Sequence, residues 1–257
     1  MSTKITVGPI IGKVTHDSAR ILIETESAAT VTCIAKPTGS GNPVSEKKVF
    51  KAGVPAAFRL NGLAPEMHYS VSFTGAQTNL KGSFRTLPLD PTRLRVAVVS
   101  CNYVDKAKDS DPWAVLKNHC IDTPGHTIDM LLHIGDQVYA DDADAYVSST
   151  MAYESALRLA RKKITPAVMR EIREIYRNAY RQTWSHPTIR QVLASVPNLM
   201  ILDDHEVTDD WGTDPHCRPV STGNPEQDKE AQIKCLVAQQ GIRAYREYQK
   251  QLWADQS

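Results

Sequence analysis

No apolar run in the 257-residue sequence approaches the roughly 18 residues that a membrane-spanning helix needs. The N-terminus, Met-Ser-Thr-Lys-Ile-Thr-Val-Gly-Pro, has no apolar segment after its lysine, so no secretory signal peptide is visible. The chain has five cysteines, an odd number, and no Cys-x-x-Cys pair, which argues against a disulfide framework. These absences predict a cytoplasmic protein without a membrane partner.

A dominant charge is also lacking, because 30 Lys and Arg residues oppose 29 Asp and Glu residues. The formal net charge of +1 gives no sign of binding to nucleic acids or to anionic membranes. With 41% apolar residues the chain can bury a sizeable core, and its length suits one or two domains. The composition predicts a globular protein and leaves the oligomeric state open.

Motifs for covalent catalysis are missing too. The sequence contains no G-x-S-x-G and no P-loop. A cysteine-dependent phosphatase needs an arginine six positions after its cysteine to cradle phosphate. The residue six positions after Cys101 is Ala107, and residues 101–144 contain no arginine. This excludes Cys101 as a nucleophile of that class.

Residues 1–88 contain short β-branched runs that polar and Gly/Pro stretches interrupt, a pattern typical of a β-sandwich. The clearest runs are Ala19–Glu24, Thr30–Lys36 and Tyr69–Phe73. Leu63-x-Pro65 followed by Tyr69 resembles the corner signature of fibronectin type III domains. We therefore expect a fibronectin type III-like β-sandwich over residues 1–88.

From Arg93 onward the pattern changes to short apolar runs separated by helical stretches. The apolar runs are Leu94–Val99, Ile128–Ile134 and Asn198–Leu202, and the helical stretches are Pro112–His119, Pro166–Trp184 and Thr188–Ser195. Such runs are typical of buried parallel strands, and their alternation with helices predicts an α/β domain over residues 93–257. Thr165 before Pro166 is a favourable N-cap.

Each apolar run ends in polar residues. The three tails are Ser100-Cys101-Asn102, Gly135-Asp136-Gln137-Val138-Tyr139 and Asp203-Asp204-His205-Glu206. Because the carboxyl ends of parallel strands meet at one edge of a sheet, we expect these side chains to lie close together. Nine Asp fall in residues 101–144 and six acids in residues 203–214, and such crowded charge repels unless it is solvated or holds a cation.

The residue types of the tails predict a metal centre. One carboxylate, such as that of Asp136, can bridge two ions held roughly 3.5–4 Å apart. A mixture of thiolate and phenolate ligands from Cys101 and Tyr139 favours a charged transition metal such as Fe(III). Further oxygen ligands for a second ion, such as calcium or magnesium, are available from Asp204, Asp141, Asp142 and Asp144. A solvated acidic loop is the alternative.

The three tails, together with Val207 and Trp211, resemble the PhoD-like alkaline phosphatase family of the calcineurin-like metallophosphatases. The most specific parts are Gly-Asp-x-x-Tyr at 135–139 and Asp-Asp-His-Glu-Val at 203–207, and the resemblance spans the whole chain. It implies a small β-sandwich before a metallophosphatase domain, and a dinuclear or multinuclear site holding Fe(III) and Ca(II). The implied metal ligands are Cys101, Asp136, Tyr139 and Asp204, with Asp136 as the bridging carboxylate.

The resemblance also implies a reaction, the hydrolysis of a small-molecule phosphoester by metal-activated hydroxide. His205 is the implied catalytic residue, which meets the scissile phosphate and, when protonated, donates to the leaving oxygen. Supporting or substrate-contacting roles fall to Asn102, Asp203, Glu206 and Asp210. The sequence leaves open whether the substrate is a monoester or a diester.

The sequence departs from the family pattern at its C-terminal side. Complete relatives continue well beyond this length and supply further His and Asp ligands, but here no histidine follows His216 and no Gly-His-x-His occurs. We therefore expect the N-terminal part of a longer protein or a truncated gene product, with an incomplete catalytic domain and little activity alone. The alternative is an inactive fragment that serves as a binding or structural protein. The predicted cytoplasmic location is a second departure, because many relatives are secreted.

Overall fold

The computed structural model describes residues 2–103, 111–122, 128–141, 152–212 and 221–255. Its N-terminal region is mostly β and contains β1 (Thr3–Val14), β2 (Ser18–Thr25), β3 (Ala29–Pro37), β4 (Val44–Phe50), β5 (Ala56–Asn61), β6 (His68–Thr74), β7 (Ala76–Gln77) and β8 (Gly82–Arg85). These strands form two four-stranded sheets, ordered β5-β2-β1-β7 and β4-β3-β6-β8. The pairing is antiparallel except between β1 and β7.

The two sheets share one apolar core. Alternate residues of β3 are buried, as expected for a strand with one face on a core, namely Val31, Cys33 and Ala35. They join residues of the other sheet, including Ile21 and Phe58, in one buried cluster. The hydroxyl of Tyr69 accepts a hydrogen bond of 2.8 Å from the amide of Ala64, at the expected corner. The fibronectin type III-like character and the boundary at residue 88 stay predictions.

The second region begins with a strand and alternates strands with helices. It contains β9 (Val96–Val99), α1 (Pro112–Lys117), a π-helical turn (Asn118–Asp122), β10 (Met130–Ile134), α2 (Ala152–Lys162), α3 (Pro166–Thr183), α4 (Pro187–Leu193), β11 (Asn198–Ile201), α5 (Pro225–Tyr248) and a 3-10 turn (Lys250–Leu252). The three strands form a parallel sheet in the order β11-β10-β9. Their carboxyl ends therefore lie at one edge.

The helices follow from local signals where those signals are strong. Thr165 caps α3, because its hydroxyl accepts a hydrogen bond of 3.2 Å from the amide of Val168, and Pro166 occupies the first helical turn. The strands and helices expected after Arg93 are present, with ends shifted by one or two residues. Among the helices that the structure describes, none combines the length and the apolar character needed to cross a bilayer.

One expectation about the parallel sheet is wrong. The apolar runs predicted buried parallel strands, but the described residues cover one face of the sheet only. Leu131 and Met200 are 0% and 1% exposed on the face that packs against the helices, whereas Val98, Ile134 and Ile201 on the other face are 57%, 44% and 46% exposed. Side chains alternate between the two faces of a strand, so an apolar run cannot indicate which face other elements will cover.

A buried ion pair joins the β region to the helices. Glu24 on β2 is 1% exposed and accepts a hydrogen bond of 2.7 Å from Nε of Arg181 on α3. The hydroxyl of Tyr248, at the end of α5, donates to the same carboxylate. At Gly12 on β1 any Cβ atom would clash with the carbonyl of Leu252, so this close approach requires glycine. These contacts hold the β region against the part of the molecule that carries the three polar tails.

Candidate metal centre

Three loops meet at the carboxyl edge of the parallel sheet. The amide of Cys101 donates to the carbonyl of Gly135 at 3.3 Å, and the amide of Asn102 donates to that of Asp136 at 2.8 Å. Cys101 and Asp136 both adopt left-handed backbone conformations, with φ of 54° and 55°. Gly135 has φ of 109° and no room for a Cβ, which would clash with Asp203. These sharp turns bring the side chains of Cys101 and Asp136 together.

Glu206 connects the second loop to the third. Its buried carboxylate accepts hydrogen bonds from the amides of Asp136 at 3.3 Å, Gln137 at 2.7 Å and Asp203 at 3.0 Å. The side chain of Gln249 donates to it at 2.9 Å. Burial raises the pKa of Glu206, and these hydrogen bonds partly offset the rise. The contacts are those of a positioning residue.

The carboxylate of Asp136 lies at the centre of the site. The Sγ atom of Cys101 is 3.5 Å from its Oδ2. Asp136, Asp204 and His205 each offer one ligand atom, and these atoms lie within 4.8 Å of one another. The hydroxyl of Tyr139 interacts with Cys101 and Asp136. The structure thus brings together the four residues predicted as metal ligands, together with His205.

The chemistry of these donors fits a bound metal ion. The Oδ1 atom of Asp136 is buried and has no hydrogen-bond partner among the described residues, which is energetically unfavourable. Burial raises the pKa of Asp136, although His205 and Cys101 oppose the rise. Burial and the charge of Asp136 also raise the pKa of Tyr139. A cation here would satisfy Oδ1 and favour the ionised forms of both side chains.

The imidazole ring of His205 is held by the carboxylate of Asp141. Its Nδ1 lies 2.9 Å from Oδ1 of Asp141, and its ring centre lies 4.3 Å from that of Tyr139. Burial lowers the pKa of His205, but the hydrogen bond and charge of Asp141 and the other nearby carboxylates outweigh this and raise it overall. Nδ1 is engaged by Asp141, and Nε2 lies 3.7 Å from Oδ1 of the exposed Asp209, beyond hydrogen-bonding distance, so Nε2 is the nitrogen left for a ligand or a substrate.

A second, more exposed acidic group adjoins this centre. Asp204, Asp209 and Asp210 offer ligand atoms within 4.8 Å of one another. The Oδ2 atom of Asp204 accepts a hydrogen bond of 2.7 Å from the amide of Asp210. Asp141 accepts one of 2.5 Å from the amide of Asp209, so it orders this loop as well as His205. The other calcium or magnesium candidates, Asp142 and Asp144, lie outside the described residues.

Asn102 has the contacts of a supporting residue, one of the two roles expected for it. Its Nδ2 donates to the carbonyl of Gln137 at 3.2 Å, and its Oδ1 accepts from Nε1 of Trp113 at 2.8 Å. Both ends of the amide thus hold α1 against the second loop. Gln249 was missed as a partner of Glu206, because the two lie 43 residues apart and no motif connects them.

Comparisons with known proteins support the family suggested by the tails. The PhoD-like phosphatase family model matches residues 96–251. A solved structure of PhoD matches with a TM-score of 0.66 and 19% identity, over 96% of this chain and 46% of the PhoD chain. The chain thus spans less than half of that structure, and the likeness shows the fold alone.

Another matching structure is the sensor domain of the anti-sigma factor RsgI4 from Pseudobacteroides cellulosolvens, with 15% identity and a TM-score of 0.29. That match covers 35% of this chain and 98% of the sensor domain. No curated protein sequence matches the chain. Because the family model covers more than half of the sequence, the chain belongs to the PhoD-like phosphatase family.

Proposed function

We propose that this chain carries the Asp136-centred part of a metal-dependent phosphoester hydrolase site. The supporting observation is the buried Oδ1 of Asp136, which forms no hydrogen bond within the described part of the chain and lies beside the thiol of Cys101 and the carboxylate of Asp204. Membership of the PhoD-like phosphatase family makes phosphoester hydrolysis the reaction class. Since the chain spans 46% of the PhoD chain, the activity of the whole protein is itself part of the proposal.

Four side chains would hold the metals, namely Cys101, Asp136, Tyr139 and Asp204. When bound, the metals would polarise the phosphoryl group and acidify water. The thiol and the phenol each lose a proton on binding, and this mixture of soft and hard anions suits Fe(III). The more exposed carboxylates of Asp204 and Asp210 suit Ca(II), which takes oxygen ligands.

His205 would act as the proton donor to the leaving oxygen. Asp141 holds Nδ1 and raises the pKa of the ring, which favours the doubly protonated form whose Nε2–H can be donated. As the phosphorus–oxygen bond breaks, the charge that develops on the leaving oxygen takes this proton. Glu206 contributes by fixing the amides of Asp136 and Asp203, and it does not touch the substrate in this scheme.

A second candidate is a binding or structural protein that keeps the fold without turnover. Within the described residues, His205 is the only histidine in the two groups of ligand atoms, so nitrogen ligands are few. A related hydrolase that takes further ligands from other parts of its chain would be inactive without them.

Replacement of one carboxylate tests the proposal. In the whole protein, Asp136→Asn keeps the size of the side chain but removes its charge. We therefore expect iron and calcium to bind at least roughly tenfold more weakly, and hydrolysis of an aryl phosphate to be lost. Asp90→Asn makes the same change at an exposed acid between β8 and β9, and it should alter neither metal binding nor hydrolysis. Metal content and hydrolysis are measured together. Equal metal content in both variants would contradict the proposal, and stoichiometric metal without turnover would favour the second candidate.

A further inference from the structure

We propose that a cavity beside Cys101 binds the organic group of the phosphoester, and that this group is small and apolar, such as an aromatic ring. The cavity has a volume of about 280 Å³, and Val99, Leu116 and Trp113 contribute to its walls. We call it the Trp113 cavity. The inference rests on the proposed function for the phosphoryl group, whereas binding of the organic group alone is independent of it.

The location of the Trp113 cavity connects it to the metal centre. Cys101 lines the cavity, and its Sγ lies 3.5 Å from Oδ2 of Asp136. Asn102 and Gln137 also line it, at the ends of the loops that carry Cys101 and Asp136. A phosphoryl group attached to a molecule in the cavity would therefore project towards the Asp136 carboxylate.

Several polar groups in the wall already form hydrogen bonds within the protein. Both ends of the Asn102 amide are hydrogen-bonded, to Trp113 and to the carbonyl of Gln137. The carboxylate of Asp111 accepts a hydrogen bond of 2.9 Å from the amide of Trp113. A sugar or another polar group would lose its water contacts and find few replacements, so the cavity favours an apolar occupant.

The size and rigidity of the cavity set the size of the ligand. A cavity of roughly 150 Å³ with apolar walls binds benzene, so about 280 Å³ suits one ring or two fused rings. Trp113 is only 8% exposed, and its ring lies 6.2 Å from that of the buried His133. Because this wall is held in place before a ligand arrives, little ordering opposes binding.

The test uses 2-naphthol, an alcohol of the predicted size, with the metal-free chain. NMR titration should give a dissociation constant on the order of 1 mM, as expected for a ligand of this size. Leu116→Trp fills the cavity and should weaken binding roughly tenfold or more. Val115→Trp places the same ring on the neighbouring residue, which is 59% exposed and does not line the cavity, so binding should be unchanged.

A variant that gains binding of a larger ligand must be folded, so it separates a change of the cavity from misfolding. Leu116→Ala enlarges the cavity and should shift the preference from 2-naphthol towards the larger 4-phenylphenol. Absence of 2-naphthol binding, or equal binding by wild type and Leu116→Trp, would overturn the inference. A protein that hydrolyses phosphoesters but does not bind 2-naphthol would refute this inference alone. Binding of 2-naphthol by a protein that holds no metal and hydrolyses no ester would refute only the proposed function.

Discussion

Asp136 combines three unfavourable features in one residue: burial, an oxygen that accepts no hydrogen bond from the residues that the structure describes, and a left-handed backbone. Features of this kind persist when the surrounding structure enforces them, and they concentrate at functional sites. Here Glu206 binds the amide of Asp136, and Gly135 leaves space for the turn. A cation on Oδ1 would remove the largest of these penalties, so metal binding should also stabilise the fold.

His205 has two possible roles that one substitution separates. His205→Ala in the whole protein should keep its metals and slow hydrolysis of an alkyl phosphate by roughly 10²–10⁴-fold, because the leaving alkoxide needs a proton. An aryl phosphate should suffer less, since an aryl oxide leaves without protonation. Rates with both esters and the metal content decide between the roles. Metal loss, or equal losses with both esters, would make His205 a ligand or a phosphate-positioning residue instead.

His133 predicts a pH dependence of stability. It is 0% exposed, and burial lowers its pKa although its contacts with the amide oxygens of Asn198 and Gln137, which accept hydrogen bonds, oppose this. The unfolded chain therefore binds a proton below about pH 6.5 that the folded chain does not, so the free energy of unfolding falls as the pH drops. Between pH 7.5 and 5.5, the free energy of unfolding should fall by up to about 1 kcal/mol less in His133→Gln than in wild type, as measured by urea titrations. Parallel pH profiles would contradict this.

The parallel sheet shows what local sequence patterns can and cannot predict about elements. The apolar runs and the Thr165–Pro166 start signal predicted three strands and α3, because strand and helix periods are local properties. They did not predict α2, and they gave the wrong burial for the outer face. Which face is covered depends on elements distant in the chain, and no local pattern carries that information.

The two faces of the sheet should respond differently to truncation. Leu131→Ala on the buried face should lower the free energy of unfolding by about 2–5 kcal/mol, because it leaves a cavity. Val98→Ala on the exposed face should change it by less than about 1 kcal/mol. Chemical denaturation of both variants provides the measurement. A loss at Val98 comparable with that at Leu131 would mean that the outer face is covered in solution.

At the scale of the whole molecule, the β region and the helices depend on contacts between distant residues. Glu24 and Arg181 are 157 residues apart and neither stands in a motif, so no local pattern predicts that they pair. The candidate site was more predictable. Its ligands follow the ends of parallel strands, and that topology alone brings Cys101, Asp136 and Asp204 to one edge. The strand topology does not predict the contact of Glu206 with Gln249, because Gln249 does not follow a strand of the parallel sheet.

The contribution of the junction between the β region and the helices to the free energy of unfolding can be measured with one matched pair of substitutions. Glu24→Gln removes the buried carboxylate that both Arg181 and Tyr248 bind and leaves Arg181 with the partly exposed Glu174, so it should cost about 2 kcal/mol of unfolding free energy. Glu66→Gln makes the same change at an exposed ion pair, where Arg85 lies 3.9 Å away, and should cost less than about 0.5 kcal/mol. Thermal and urea unfolding measure both variants. Equal effects would show that the Glu24 pair does not hold the junction.

The most direct test of the metal centre is a crystal structure of the protein with iron and calcium added, with anomalous scattering to locate each ion. We predict an iron peak roughly 2.0–2.5 Å from the carboxylate of Asp136, with Cys101 and Tyr139 as further ligands, and an adjacent ion on Asp204. Peaks confined to other acidic residues, or an Asp136 carboxylate that stays without an ion at saturating metal, would contradict it.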